Sequence, residues 1–155
     1  MERVKKFIFP AVILLGLGAF VLQGRGVASD AEYTLARKPE VIAATFTSAW
    51  CSACKILEPR LSSVISKFSD KPVKFVEFDL TFGEQPEIVE AAHNAGIGEV
   101  YERFQGATGF TLLIDAETGE VIDSLTINHS KQAMAAAISQ SIARAARDTS
   151  LVKTN

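Results

Sequence analysis

The chain has 155 residues, a length that favours a single domain once any targeting segment is set aside. Hydrophobic residues make up 48% of it, which leaves enough Val, Ile, Leu and Phe for a core. The formal net charge is −2, and Lys and Arg are spread along the chain apart from a short N-terminal group. Because nucleic-acid-binding proteins cluster these residues on one face, the composition excludes nucleic acid as a partner.

The first 28 residues have the pattern of a membrane-targeting segment. Three basic residues precede an apolar run from Phe7 to Leu22, and small residues follow at Gly26 and Ala28. This order predicts a secretory signal peptide cleaved after Ala28. The alternative is an uncleaved anchor over residues 7–24, because a spanning helix needs about 17–25 apolar residues. Both predict that residues 29–155 lie outside the cytoplasm, in the periplasm or on the outer face of the cytoplasmic membrane.

Hydrophobic patterns after residue 40 predict alternating strands and helices. The predicted strands are short and apolar or partly alternating, at residues 41–47, 73–79, 110–115 and 120–125. The predicted helices repeat apolar residues every three or four positions, at residues 52–68, in two pieces within 84–104, and at 131–147. A polar lead-in occupies residues 29–40, and a tail occupies residues 148–155. The strand–helix–strand order predicts a parallel pair, and the short Gly-containing link before residue 120 predicts an antiparallel hairpin.

The two cysteines of the chain, Cys51 and Cys54, are separated by only Ser52 and Ala53. Structural disulfides usually join distant segments, whereas this pair closes a very short loop, so the spacing favours reactive thiols. A zinc site usually needs four ligands, and the chain has no second cysteine pair, so we predict no metal site. Two thiols also suit a soft ion such as Cu(I), which leaves copper handling or assembly as an alternative function.

The segment from Phe46 to Lys55 resembles the active site of the thioredoxin superfamily. A buried strand leads into Trp-Cys-x-x-Cys-Lys, and Pro59 matches the proline in the helix that follows in that family. Residues 111–115 and 119–121 resemble the hairpin after the family's active-site loop. The resemblance implies an α/β thioredoxin fold over residues 41–147, with a central mixed four-stranded sheet flanked by helices.

The position of the cysteines between a strand and a helix predicts their roles. The first N–H groups of a helix lack internal partners and carry partial positive charge, so a thiolate at Cys51 should be stabilised. Its pKa should fall below the value of about 8.5 for a free thiol. We therefore expect Cys51 to be the nucleophile and Cys54 the resolving thiol of a redox-active disulfide. Trp50 and Lys55 are candidate substrate-binding or supporting residues, Trp50 by offering an apolar surface or simply by packing.

Two positions depart from the family pattern. The family usually has a cis-proline facing the cysteines, where this chain has Phe110, followed by Thr111. A cis bond before a residue other than proline costs about 2.5–4 kcal/mol, so we predict a trans peptide there. Phe110 and Thr111 are also candidate substrate-binding or supporting residues. A buried aspartate of the family aligns with Thr45, which cannot accept a proton from the resolving thiol at neutral pH.

The function expected from these residues is thiol–disulfide exchange with exported protein substrates. Such exchange needs no bound cofactor, but a redox partner must recharge the cysteine pair, and a membrane electron carrier would suit an exported protein. The direction of electron flow, oxidase or reductase, stays open, because the Ser52-Ala53 pair indicates no extreme potential.

Overall fold

The computed structural model describes residues 38–152. The predicted targeting segment at residues 1–28, and most of the lead-in, lie outside these residues. Among the helices within residues 38–152, none combines the length and the apolar character needed to cross a membrane.

Four strands form one mixed sheet, as expected, and their order is β2-β1-β3-β4. Their bounds are Val41–Thr47 for β1, Val73–Asp79 for β2, Phe110–Asp115 for β3 and Val121–Leu125 for β4. β1 is parallel to β2 and antiparallel to β3, and β3 is antiparallel to β4. All seven residues of β1 are buried because neighbouring strands flank it and helices cover both faces, which explains its continuous apolar sequence.

The helices lie close to their predicted positions, with shifts at their ends. Their bounds are Cys54–Ile65 for α1, Pro86–Asn94 for α2, Gly98–Phe104 for α3 and Lys131–Val152 for α4. A short 3₁₀ turn at Ser66–Phe68 ends the first helical segment. α4 continues beyond the predicted end at residue 147, because no Gly or Pro interrupts it and Arg144 reaches Asp148 one turn later at 3.9 Å.

The two faces of β1 belong to two separate apolar cores. Because side chains alternate along a strand, Val41 and Ala43 pack with residues of α1 and α4, including Leu57 and Met134. The side chains on the opposite face of β1, including Phe46, pack against α2 and α3. Phe46 stacks there on Tyr101 with ring centroids 6.0 Å apart. Both cores hold the end of β1 in place, and the cysteine loop follows directly from that end.

Candidate active site

The cysteine pair lies in the turn between β1 and α1. The Cys51 N–H donates to the Ser48 carbonyl at 3.1 Å, which closes a turn just after the strand. Cys51 and Cys54 form a disulfide with their Cα atoms 5.3 Å apart. Pro59 lies inside α1, as the sequence resemblance implied.

The Cys51 sulfur sits at the N-terminal end of α1. The Cys54 backbone N–H donates to Cys51 Sγ at 3.1 Å. Ala53, at the N-cap position, offers no capping side chain, and the first turn of α1 contains no acidic residue. The sulfur therefore takes the place of a capping group, and no carboxylate in that turn offsets the positive end of the helix.

The two cysteines differ in exposure. Cys51 is partly exposed, whereas Cys54 is only 2% exposed beneath the start of α1. Of the two sulfur atoms, that of Cys51 is therefore the more accessible to a second molecule.

Gly109 brings the loop before β3 against the Cys51 sulfur. Its φ of +98° is one that residues with a side chain rarely adopt, and its N–H donates to the Phe46 carbonyl at 2.8 Å. A Cβ added there would lie 3.2 Å from Cys51 Sγ and 3.0 Å from the Ala53 Cβ. Gly109 was not among the candidate residues predicted from the sequence, although its place just before the position of the family's cis-proline was an available signal.

Phe110 supports this loop from the core side. Its half-buried ring stacks on Phe46 with centroids 5.0 Å apart and contacts Phe104 at 5.8 Å. Residues 38–152 contain no cis peptide bond, which confirms the trans peptide predicted at Phe110.

A pair of threonines occupies the sheet at the position of the family's buried aspartate. Thr45 and Thr111 are cross-strand partners, and their buried Oγ1 atoms lie 2.9 Å apart. Thr111 is completely buried, so its side chain is not accessible to a substrate. The hydroxyl pair is uncharged, and one hydroxyl donates a hydrogen bond to the other.

Three carboxylates near this sheet face, one on α1 and two on β2, were missed in the sequence. The Thr47 hydroxyl donates to Glu58 on α1, and Glu77 is the parallel cross-strand partner of Thr45. Partial burial raises the pKa of Glu77 above its ordinary value of 4.5, and the charges of Glu58 and Asp79 act in the same direction. Their grouping depends on strand register, which no local motif reveals.

Trp50 and Lys55 flank the disulfide on its exposed side. Trp50 is 82% exposed, so it forms an apolar surface, and the packing alternative is wrong. Lys55 is exposed and makes no ion pair within residues 38–152.

The two histidines have ordinary structural surroundings. His93 lies on α2 at 4.0 Å from Glu102, and the His129 ring contacts Thr126 in the turn before α4. Ser130 caps α4, since its Oγ accepts from an N–H at 3.1 Å. In the part of the chain that the structure describes, no three side chains of the His, Cys, Asp and Glu types are grouped to hold a metal ion.

Comparisons with known proteins found one family model and several solved structures that resemble this chain. The thioredoxin family model matches residues 27–97. Among solved structures, StoA from Bacillus subtilis is 17% identical with a TM-score of 0.46, and the match covers 66% of this chain and 85% of that one. A thioredoxin-family thiol:disulfide interchange protein from Chlorobium tepidum TLS is 21% identical with a TM-score of 0.47, covering 70% and 84% of the two chains. No curated protein sequence matches significantly.

Proposed function

We propose that this chain is a thiol–disulfide oxidoreductase of the thioredoxin-like kind, which exchanges disulfides with protein substrates. The observation that carries the proposal is the Cys51–Cys54 disulfide, whose partly exposed sulfur accepts a hydrogen bond at the N-terminus of α1. A structural disulfide would have no need for that arrangement, because residues three apart are already held together by the turn.

The exchange proceeds in two displacements. In the reduced protein, the Cys51 thiolate attacks one sulfur of a substrate disulfide, the substrate S–S bond breaks, and the released substrate thiolate takes up a proton. The Cys54 thiol then loses its proton and attacks Cys51 Sγ. This forms the Cys51–Cys54 disulfide and releases the second substrate thiol. Two electrons pass from the protein to the substrate, and the reverse sequence oxidises a substrate dithiol.

The helix N-terminus makes the first displacement favourable at neutral pH. The hydrogen bond from the Cys54 N–H and the positive end of α1 favour the thiolate form of Cys51. Cys54 is buried beneath it, so substrates reach Cys51 first and Cys54 acts only within the protein. No bound cofactor takes part in either step.

Mixed-disulfide trapping tests the roles of the two cysteines. In a Cys54→Ser variant, Cys51 can attack but the intermediate cannot be resolved, so covalent complexes with substrates should accumulate. In the matched Cys51→Ser variant the remaining thiol is buried, so complexes should be absent. Equal trapping by the two variants, or none by either, would contradict the assigned roles.

We also propose that the domain works outside the cytoplasm, on exported protein substrates, and is recharged by a redox partner in the membrane. The support is the basic and apolar pattern of residues 1–28. A reporter that is active only outside the cytoplasm, fused after residue 40, should be active, and deletion of residues 1–28 should abolish its activity. An active reporter without those residues would contradict the proposed export.

Copper handling remains the alternative use of the two thiols. Titration of the reduced protein with Cu(I) separates the two functions, since an exchange enzyme should reduce a disulfide substrate quickly whether or not it binds the ion. Tight one-to-one binding together with negligible disulfide exchange would favour the alternative.

A further inference from the structure

Two aromatic side chains, one in the loop after β1 and one in the loop after β2, are almost fully exposed. Trp50 is 82% exposed and Phe82 is 85% exposed, and both are more exposed than any other large hydrophobic residue in the part of the chain that the structure describes. Scattered exposed apolar residues need no explanation, but adjacent ones at a reactive group indicate a contact surface.

Hydrogen bonds join the two loops that carry these rings. The Ala49 N–H donates to Thr81 Oγ1 at 2.8 Å, so the residues before Trp50 and Phe82 are in direct contact. The Leu80 N–H also donates to the Thr47 carbonyl at 2.8 Å. The two aromatic residues therefore stand on neighbouring, tied turns, and Trp50 is next to Cys51. We call residues 49–50 and 80–84 the aromatic rim.

The turn after β2 is fixed by its own polar contacts. The Asp79 carboxylate accepts from both the backbone N–H and the hydroxyl of Thr81. These bonds hold the pKa of Asp79 below its ordinary value of 3.8, so Asp79 is charged at neutral pH. Phe82 is thus presented by an ordered turn.

The surface around the aromatic rim is acidic. Four carboxylates lie in or beside it, and none of them forms an ion pair with Lys or Arg within residues 38–152: Glu58, Glu77, Asp79 and Glu84. Lys55 is the basic residue nearest in sequence to the disulfide. The surface therefore complements a segment that carries positive charge.

We propose that the aromatic rim is a docking surface for a cysteine-containing polypeptide segment that has an apolar residue and a Lys or Arg close to its disulfide. This inference rests on the proposed function, since it names the class of substrate that reaches Cys51. The rings of Trp50 and Phe82 contact the apolar residue of the segment, and the surrounding carboxylates bind its Lys or Arg residue.

Kinetics with matched peptides tests the docking surface. The reduced full chain is given peptides that share one intramolecular disulfide and differ in flanking residues: Leu with Lys, Ser with Lys, and Leu with Glu. Phe82→Ser should lower kcat/KM for the Leu–Lys peptide about fivefold, the size of a moderate contact in a binding surface, and should affect the Ser–Lys peptide much less. Reduction of hydroxyethyl disulfide, which is too small to span the rim, should be unchanged.

The charged part of the surface has its own variant and control. Glu84→Gln should lower kcat/KM for the Leu–Lys peptide about threefold at low salt, and the effect should shrink at high salt, since exposed charges are screened. Glu117→Gln is the control, because Glu117 lies in the β3–β4 turn, at the end of the sheet opposite the disulfide.

The outcomes separate the docking surface from the proposed function. Failure of the wild-type chain to reduce hydroxyethyl disulfide would overturn the exchange activity itself. If that reaction proceeds but Phe82→Ser affects all three peptides equally, or none of them, the docking surface is wrong. If Glu84→Gln and Glu117→Gln change kcat/KM for the Leu–Lys peptide equally, the proposed preference for a basic segment is wrong.

Discussion

Replacing Gly109 with alanine tests the close approach of the loop before β3 to the reactive sulfur. The backbone at Gly109 has a φ of +98°, so a side chain there costs about 1–2 kcal/mol in backbone strain. The new methyl group would also meet the Cys51 sulfur at 3.2 Å and the Ala53 Cβ at 3.0 Å. Overpacking of this kind adds about 1–3 kcal/mol. The total loss expected in the free energy of unfolding of Gly109→Ala is therefore about 2–5 kcal/mol.

Gly106 provides a matched control for this prediction. It has a similar φ of +80°, but a Cβ there would have no atom within 4 Å. Gly106→Ala should therefore show only the backbone cost, about 1–2 kcal/mol. Urea denaturation of the oxidised proteins measures both losses.

Alkylation of Cys51 with iodoacetamide in the reduced proteins gives an independent readout of the same contact. The added methyl group covers part of the sulfur in Gly109→Ala, so alkylation should be several-fold slower than in the wild-type chain. It should be unchanged in Gly106→Ala. Equal losses of stability and equal alkylation rates in the two variants would show that the loop does not press on the sulfur.

Three further substitutions test groups around the site. Thr45→Val leaves the Thr111 hydroxyl buried without its partner and should lower the free energy of unfolding by about 1–3 kcal/mol. Adding Thr111→Val should restore much of that loss. A double variant as unstable as the single variant would contradict the pairing of the two hydroxyls. Tyr101→Phe removes a buried hydroxyl whose polar neighbour is Glu84 but which lacks a well-formed hydrogen bond, so urea denaturation should show unchanged or higher stability. A clear loss of stability would mean that the hydroxyl bonds firmly to Glu84. Burial raises the pKa of Glu77 above 4.5, so its ionisation weakens the fold as pH rises through that raised value. Glu77→Gln should therefore be more stable than the wild-type chain above the raised pKa of Glu77, and it should have no such advantage below pH 4. An equal advantage at all pH values would show that ionisation of Glu77 does not weaken the fold.

Much of the fold was predictable because its signals are local. β1, β2 and β3 begin and end where the apolar patterns predicted, since a buried strand must be apolar over the length that its neighbours cover. The cysteine pair was also predictable, because Cys51 and Cys54 lie in one short motif. The longer α4 was missed because its last turn depends on weak contacts, such as the pair between Arg144 and Asp148.

The missed features of the site all depend on contacts between distant parts of the chain. Gly109 meets Cys51 only because β3 lies beside β1. The grouping of Glu77 with Glu58 follows from the register of β2 and the docking of α1. The loop that carries Phe82 is joined to the loop that carries Trp50 by the hydrogen bonds from Ala49 to Thr81 and from Leu80 to Thr47. None of these has a sequence pattern of its own, because each residue is ordinary in its local segment.

The acidity of the Cys51 thiol is the property on which the proposed chemistry depends. It is measured most directly from the pH dependence of Cys51 alkylation in the reduced Cys54→Ser variant, in which Cys51 is the only cysteine. The α1 N-terminus and the N–H of residue 54 predict an apparent pKa clearly below the value of about 8.5 for a free thiol. An apparent pKa at or above that value would contradict the account.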